Sequence, residues 1–309
     1  MKRRFLIVVL GLWVGMMSPL WALDKVPLPE KVVVGESMKD CALCPEMVEI
    51  PAGTFQMGSN DEIPAGTFQM EMGSNEINDE SDEKPVHTVN VKAFYMSKYE
   101  TTIAEYLACV QDGGCKSPEW LESGNEYNIH TGNKDSYKRA GMSENNKNYP
   151  ITGVSWNDAK AYGVWLSKKT EKDYRLPTEA QWEYACRAGS TGKYSFGNEV
   201  SQLESYGWYD ENSNETTHPV GGKKPNAWGL YDMHGNVWEW LEDKYHDNYI
   251  GATVDGSAWV SGDSNSYLLR GGSWYSNDYS LRCAYRFGGD TAFGDSNWGF
   301  RISSTPNRR

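Results

Sequence analysis

The chain has 309 residues, of which 30 are Lys or Arg and 42 are Asp or Glu, so its formal net charge is −12 and its pI lies near 5.0. A nucleic-acid-binding protein needs a basic face that displaces counterions from phosphates, and this acidic balance therefore argues against a nucleic-acid partner. The length suits one large domain, because no segment rich in Pro and Ser divides the chain into two cores.

The first residues have the pattern of a secretory signal peptide. Three basic residues, Lys2–Arg4, precede an apolar run over Phe5–Met17, and a short segment then ends at Ala22. The run breaks at Ser18 and is shorter than the ~20 apolar residues that a bilayer requires. We therefore predict a signal peptide over residues 1–22, an exported protein that is periplasmic or secreted, and no membrane span after signal cleavage.

An octapeptide, Ile-Pro-Ala-Gly-Thr-Phe-Gln-Met, occurs twice, at Ile50–Met57 and at Ile63–Met70. Either copy can form a strand, but only one of them can hold the native register. The first copy is favoured, because Met47–Ile50 leads directly into it. The second copy is then expected to bulge out as a polar loop that runs into the acidic stretch Asn75–Glu83.

Alternating polarity over His87–Tyr95 predicts a half-buried strand. A helix is expected to follow, because Thr102 and Glu105 have the spacing of a capping box and Gly113-Gly114 would stop the helix.

Two further helices are predicted. The first begins at Trp156 and has one apolar face, formed by Ala159, Tyr162, Trp165 and Leu166. The second is capped by Thr178 with Gln181 in the reciprocal position, and Gly189 ends it. From Ser190 onward helical patterns are few, and the 13 Trp, 19 Tyr and 31 Gly of the chain suit irregular segments held by aromatic packing.

The six cysteines are an even set that an oxidising compartment would pair. Cys41 and Cys44 form a CxxC motif, and Cys109 and Cys115 flank a short turn, so each pair can close a small local loop. A zinc site at the CxxC motif is the alternative, but it would need a second pair of ligands, and the sequence has no second CxxC or HxxxH.

Five segments together resemble the signature blocks of formylglycine-generating enzymes, the sulfatase-modifying-factor family. They are Met47–Gly58, Arg175–Arg187, Asn226–Trp240, Arg270–Trp274 and Asn297–Arg301. The resemblance implies an α+β fold of the elaborated C-type-lectin-like type, loop-rich with low regular secondary structure. It assigns residues 46–305 to this domain and leaves 23–45 as an N-terminal extension.

The catalytic centre of the family uses two cysteines just after the Gly-Gly-Ser block, which bind copper. Here Ser276 stands where the first thiol belongs and the second thiol has no counterpart, so no copper is expected, because Cu(I) prefers soft thiolate ligands. Cys283 matches a structural cysteine of the family, whose partner matches Cys186. The resemblance therefore implies a Cys186–Cys283 disulfide.

A structural calcium ion in the family is held by positions that match Asp232, Gly235, Val237 and Glu239. Oxygen donors on a tight turn suit a hard cation, and Asp232 in place of the family's usual Asn adds charge. The alternative is a solvated acidic turn without an ion.

The C-terminal segment also resembles that of the variable proteins of diversity-generating retroelements. In these proteins the variable residues arise by mutation of Asn codons at their adenines. Because the last base of the codon stays a pyrimidine, this mutation cannot produce Lys, Glu, Gln, Met or Trp. None of these residue types occurs over 275–297. Two stretches, Tyr275–Ser280 and Phe287–Ser296, are therefore predicted to contact a protein or small-molecule ligand. With the adjoining remnant of the family pocket, the predicted ligand-contacting residues are Trp238, Ser273, Trp274, Tyr275, Ser276, Asp278, Tyr279, Phe287, Asp290, Phe293 and Asp295.

The favoured function is therefore an exported protein that binds or displays a ligand through its C-terminal segment. The alternative is a formylglycine-generating-like or other metal-dependent oxidoreductase acting on exported substrates, with Ser273, Trp238 and Trp274 in its pocket. A structural component of the cell envelope is a third possibility.

Overall fold

The computed structural model describes residues 37–61 and 80–306. The predicted signal peptide, most of the N-terminal extension and the second copy of the octapeptide lie outside these residues. Within the described part of the chain, no helix has both the length and the apolar composition needed to cross a membrane.

Regular secondary structure is short throughout the described residues. The strands are β1 (Met38–Lys39), β2 (Glu46–Ile50), β3 (Gly53–Met57), β4 (His87–Val91), β5 (Phe94–Ser97), β6 (Tyr174–Arg175), β7 (Trp238–Lys244), β8 (Ser266–Arg270), β9 (Phe287–Asp290), β10 (Trp298–Gly299) and β11 (Ser303–Ser304). The α-helices are α1 (Ile103–Gln111), α2 (Ser136–Arg139), α3 (Trp156–Thr170) and α4 (Glu179–Arg187). Single 3₁₀ turns cover Glu80–Glu83, Glu119–Leu121, Val200–Ser205 and Asp278–Leu281.

The larger sheet has the order β1-β2-β5-β11-β6, and its neighbouring strands are all antiparallel. The C-terminal strand β11 lies between β5 and β6, so the sheet joins distant parts of the chain. Both faces of β2 are buried, because Val48 and Ile50 pack into one hydrophobic cluster and Met47, on the opposite face, packs into another. The two ends of the domain thus depend on each other for burial.

A second sheet has the order β10-β7-β8-β9, in which β10 runs parallel to β7 and the other pairs are antiparallel. Strand β7 buries both Trp238 and Trp240 completely. Strands β3 and β4 form a separate two-stranded sheet.

The predicted capping-box helices are confirmed. Thr102 and Thr178 each accept a hydrogen bond from the backbone N–H three residues on, and that residue's side chain reaches back to the cap. The face predicted for α3 is buried, and α4 ends with Ala188 in the left-handed region, followed by Gly189 at φ 88°. Local signals sufficed here because capping involves only neighbouring residues.

The predicted strand over His87–Tyr95 is two strands in the structure. β4 pairs with β3, whereas β5 pairs with β2 and β11 in the larger sheet. Alternation of polar and apolar residues indicates an extended, pleated backbone, but it does not indicate the sheet to which a strand belongs. The division between β4 and β5 could therefore not be predicted from this pattern. The first copy of the octapeptide supplies the end of β2 and all of β3.

All six cysteines are paired in disulfides, namely Cys41–Cys44, Cys109–Cys115 and Cys186–Cys283. The zinc alternative at the CxxC motif is therefore wrong, because a disulfide sulfur is not a thiolate ligand. The Cys186–Cys283 bond joins α4 to the segment before β9, and both residues are fully buried. The pairing implied by the family resemblance is confirmed.

Buried arginines hold the irregular C-terminal third in place. Each of them pairs with a glutamate from another segment: Arg270 with Glu183, Arg282 with Glu83, Arg286 with Glu179 and Arg301 with Glu239. Backbone carbonyls in loops lack the partners that a sheet would provide, and the same arginines donate hydrogen bonds to them, as Arg270 does to Tyr285 and Arg286 does to His246.

Candidate functional site

Ser276, which the family resemblance places where the first thiol belongs, lies beside Ser273 in the turn after β8. Ser273 Oγ and Ser276 Oγ are 3.0 Å apart, and the backbone N–H of Ser273 donates to Ser276 Oγ at 3.1 Å. Asn297 Nδ2 donates to Ser273 Oγ at 3.4 Å, and all three residues are buried. These hydroxyls bond to one another and stabilise the turn after β8.

No thiol is available near these serines, because every cysteine of the chain is in a disulfide. Among the described residues, the one cluster of three potential metal ligands comprises Cys186, His234 and Cys283, and its two sulfurs are bonded to each other. The described structure therefore offers no pair of thiolates that could hold monovalent copper.

A cavity of about 300 Å³ opens beside the serine turn. Its lining includes Trp274, Tyr275 and Asp295 together with Ser136, Arg139 and Glu215. Tyr275 is 46% exposed at the rim. Four separate segments of the chain thus meet around one concave surface.

A neighbouring cavity of about 660 Å³ shares four lining residues with the first, and we call the two together the trough. Phe293, which is 61% exposed, and Glu119 line this second part. The shared residues are Ser136, Arg139, Asp295 and Ser296.

The loop that carries Phe293 and Asp295 is held by backbone contacts. Gly153 N–H donates to the Asp295 carbonyl at 2.9 Å, and Trp274 Nε1 donates to the Ser296 carbonyl at 3.3 Å. Gly294 packs against the backbone of Gly153, where an added β-carbon would lie 2.7 Å from its carbonyl carbon. A side chain at position 294 would therefore displace the loop from the trough wall.

Two partly buried carboxyl groups, those of Glu119 and Asp295, lie in the trough wall. Burial raises the pKa of Asp295, although hydrogen bonds from Ser296 oppose that shift. Burial also raises the pKa of Glu119, and the nearby charge of Asp295 adds to the effect. Tyr137 Oη donates to Glu119 Oε2 at 2.7 Å and fixes that carboxylate.

The turn before β7 carries Asp232, which is buried in the left-handed region at φ 59°. Its Oδ2 accepts a hydrogen bond from the Gly221 N–H at 2.7 Å, whereas its Oδ1 is buried without a hydrogen-bond partner. Burial raises the pKa of Asp232 to about 6. A buried carboxylate oxygen without a partner is costly, and a bound cation would satisfy it.

The surroundings of Asp232 fit a hard cation in charge and donor type. Glu100, Asp232 and Glu239 interact electrostatically with one guanidinium, that of Arg301, so negative charge is in excess. The oxygens of Glu239 accept hydrogen bonds from Arg301 and from Trp182 Nε1, which leaves Asp232 as the side chain with a free oxygen. Carbonyl and carboxylate oxygens of such a turn are ligands that calcium prefers.

Residues 33–305 match the sulfatase-modifying factor enzyme 1-like domain. The chain belongs to this family. The matched region includes β1 and the Cys41–Cys44 disulfide, which the sequence division placed in the extension.

Two curated relatives of this sulfatase-modifying-factor chain illustrate the family. Serine/threonine-protein kinase Pkn1 of Chlamydia trachomatis is 31% identical over 276 residues, which cover 87% of this chain and 39% of Pkn1. The chain thus spans about two fifths of the length of that relative. Formylglycine-generating enzyme of Mus musculus is 29% identical over 305 residues, covering 84% of this chain and 75% of the mouse protein.

Solved structures agree with the family fold. PvdO from Pseudomonas aeruginosa superposes with a TM-score of 0.70 at 32% identity, covering 88% of this chain and 98% of PvdO. Treponema denticola variable protein 1 superposes with a TM-score of 0.67 at 24% identity, covering 88% of this chain and 99% of that protein. The second likeness concerns the fold alone. The predicted family and its α+β, C-type-lectin-like fold are confirmed.

The predicted ligand-contacting residues separate into two groups. Trp274, Tyr275, Phe293 and Asp295 line the trough. The remainder lie elsewhere: Trp238, Ser273, Ser276 and Phe287 are buried in the interior, and Asp278, Tyr279 and Asp290 lie outside the lining of the trough.

Several trough residues were not anticipated from the sequence. Ser136 and Arg139 belong to α2, a four-residue helix too short to show a period, and Glu215 lies in an irregular segment. Only long-range packing brings them into the same cavity as Trp274, so no local signal could have identified them.

Proposed function

We propose that this sulfatase-modifying-factor protein is exported and binds a protein or small-molecule ligand in the trough, rather than oxidising a substrate cysteine. The observation that carries the proposal is the concave surface that Trp274 and Tyr275 line together with α2 and the loop around Asp295. Ligand sites are typically concave, with aromatic walls and a few convergent polar groups.

Exposed aromatic side chains at the rim support a recognition role. Tyr275 and Phe293 are 46% and 61% exposed, respectively. Burial of a large apolar side chain is favourable, so an exposed one lacks that stabilising free energy. Flat aromatic rings also give contact area at a low cost in conformational entropy. A bound partner would recover that free energy.

The oxidase alternative lacks its metal ligands. Copper-dependent oxidation by this family needs a thiolate pair, and Ser276 instead hydrogen-bonds to Ser273. A neutral hydroxyl is a hard and weak donor, so it does not replace a thiolate at Cu(I).

Calcium is proposed as a structural ion on the turn that carries Asp232, Gly235 and Val237, with Glu239 nearby. The support is the buried, unpartnered Asp232 Oδ1 and the excess of negative charge around Arg301. The ion would stabilise the turn that leads into β7.

Export is proposed from the N-terminal pattern of residues 1–22, and three disulfides fit a periplasmic or secreted protein. Diversification of residues 275–297 by a retroelement is proposed from their composition. A template repeat in the genome that differs from this gene at adenines would support it, and the absence of such a repeat would leave a ligand-binding protein without diversification.

A displayed library of random peptides, panned against the purified protein, tests the binding role. Peptides enriched on the wild type should lose at least about tenfold in affinity on Trp274→Ala and on Phe293→Ser, because hot spots at interfaces are often aromatic. Ile250→Ala is the matched control, since Ile250 is 76% exposed and does not line the trough. Enrichment that is equal on all variants would place binding elsewhere and contradict the proposal.

The oxidase alternative is tested separately. The protein is loaded with Cu(I) and incubated with a cysteine-containing sulfatase peptide in the presence of dioxygen. We expect no aldehyde in the peptide by mass spectrometry, and turnover would refute the proposed function.

A further inference from the structure

A cavity of about 680 Å³ lies along strand β3, and it shares no lining residue with the trough. Thr54, Phe55 and Gln56 of β3 contribute to its lining, together with Tyr184 of α4 and Trp228. We call this cavity the β3 cleft. A ligand held in it would make contacts that the trough does not offer.

One edge of β3 has unpaired backbone groups. β4 is the one strand among those described that pairs with β3, and Thr54 lies opposite Asn90. The Asn90 N–H donates to the Val254 carbonyl at 2.9 Å and therefore points away from β3. Opposed residues of an antiparallel pair exchange both backbone hydrogen bonds or neither, and the two kinds of pair alternate along the strand. Thr54 and Gln56 thus direct their backbone N–H and C=O groups away from β4.

β3 lacks the features that usually protect a sheet edge from further pairing. Proteins commonly place a charged residue or a proline in an exposed edge strand, and Gly53–Met57 contains neither. Thr54 and Gln56 are both exposed. Their backbone donors and acceptors recur at every second residue, which is the spacing that an added extended strand would match.

The β3 cleft also has an aromatic wall. Tyr184 contacts both Phe55 and Trp228, with ring centroids 5.3 and 4.8 Å apart. Tyr184 is 8% exposed and Trp228 is 6% exposed. Within the described residues, neither the Tyr184 hydroxyl nor the Trp228 indole N–H donates a hydrogen bond. A buried donor without a partner is costly, and carbonyl groups of a ligand would satisfy both donors.

The charges of the β3 cleft do not favour an ionic ligand. Its two arginines, Arg187 and Arg282, are each paired with a buried glutamate, at 2.8 and 2.6 Å. The other charged lining residues, Asp61 and Lys193, have opposite signs. An uncharged ligand rich in amide groups therefore suits this lining better than an anion does.

We propose that the β3 cleft binds an extended peptide segment of a protein partner as an added strand on β3. The peptide exchanges backbone hydrogen bonds with Thr54 and Gln56, and side chains on one of its faces pack against the aromatic wall. In this mode of recognition, main-chain hydrogen bonds give affinity and pockets for alternate side chains give specificity. This interaction goes beyond ligand binding in the trough, because it uses a separate set of residues.

The first experiment pans displayed random hexapeptides against the mature protein carrying Trp274→Ala, in which trough binding is weakened. Kd is then measured for each enriched peptide. Gln56→Pro removes a backbone donor from the edge in the cleft, and Thr88→Pro removes one from the opposite edge of the same sheet. Both changes lose the hydrogen bond between Gln56 Nε2 and Thr88 Oγ1, so Thr88→Pro is a matched control. Affinity should fall at least about tenfold with Gln56→Pro and stay within about twofold with Thr88→Pro.

A second measurement leaves the protein unchanged. The enriched peptide is N-methylated at one or the other set of alternate residues, so that the amide donors of only one edge are blocked. Methylation of the edge that pairs with β3 should lower affinity at least about tenfold, and methylation of the other edge should change it by less than about twofold. Equal effects of the two methylated peptides, equal effects of Gln56→Pro and Thr88→Pro, or no enrichment on the Trp274→Ala protein would overturn the proposal.

Two other occupants of the edge are distinguished by further arms. The same panning is run on Trp274→Ala protein that also lacks residues 63–70, and enrichment that occurs only there would assign the β3 cleft to the second octapeptide copy. Sedimentation of the protein alone detects a dimer, and a dimer that Gln56→Pro abolishes would assign the edge to a second copy of this chain. Either result would contradict the proposal. Because the panning uses a trough variant, failure of the β3 cleft and failure of the trough can be told apart.

Discussion

Gly58 packs against the carbonyl oxygen of Glu83, and a β-carbon at position 58 would collide with that oxygen. Gly58 also has φ +94°, a conformation that side-chain-bearing residues rarely adopt. Gly58 directly follows the first copy of the octapeptide, whereas Glu71 follows the second copy. In the same register, the second copy would place Glu71 in this position.

Pairing the second copy in a register shifted by two residues does not allow it to form β3 either. It would bring Gly73 to the position of Gly58, but it would also bring Phe68 to the position of Gly53. A β-carbon at Gly53 would collide with the hydroxyl of Tyr184. Both registers are therefore blocked, and glycines decide which copy forms β3.

Two deletions test this conclusion. Removal of residues 63–70 should leave the free energy of unfolding within about 0.5 kcal/mol of the wild type, because shortening a connection changes loop entropy little. Removal of residues 50–57 should lower it by about 2–4 kcal/mol, since the remaining copy brings strain and a collision to the turn. Urea unfolding measures both, and equal stability of the two deletions would refute the assignment of β3.

The Cys186–Cys283 disulfide should contribute most to stability among the three. Its sequence separation of 97 corresponds to about 4–5 kcal/mol in the chain-entropy model, against about 2 kcal/mol for the separation of 6 at Cys109–Cys115. Double substitution of each pair by Ala, followed by urea unfolding, gives the comparison. A larger loss from the Cys109–Cys115 pair would contradict the entropic argument.

Stability should fall as pH rises through the titration of Asp82. Burial raises the pKa of Asp82 from 3.8 to about 7. The folded state thus holds this proton more tightly than the unfolded chain does. The contribution is fully present below about pH 4 and is lost as pH rises through about 7, by at most about 4 kcal/mol. Asp82→Asn should reduce the fall in the free energy of unfolding between pH 4 and 8, and an unchanged fall in this variant would contradict the assignment.

Calcium should raise the unfolding temperature if it binds the turn at Asp232. At a calcium concentration of 100 times Kd the gain is about 2.7 kcal/mol relative to protein in chelator. Asp232→Ala should abolish the shift, and Asp232→Asn should reduce it, because an amide oxygen still binds calcium but carries no charge. A calcium shift that is the same in wild type and Asp232→Ala would place the ion elsewhere.

The predictions of local structure and those of the site had different outcomes. The helices that begin after Thr102 and Thr178 were predictable, because capping boxes lie within four residues of sequence. The Cys186–Cys283 bond followed from the family blocks. The trough did not follow from them, since α2 and Glu215 carry no motif and reach Trp274 only through packing.

By itself the sequence determined the family, the fold class, the capped helices and the replacement of the expected thiol by Ser276. Each of these depends on residue identity or on neighbours in the chain. The tertiary structure alone decided that the CxxC motif forms a disulfide rather than a zinc site, why Gly58 selects the first octapeptide copy, and which side chains meet in the trough. These outcomes depend on distances between segments far apart in sequence, which local residue patterns do not encode.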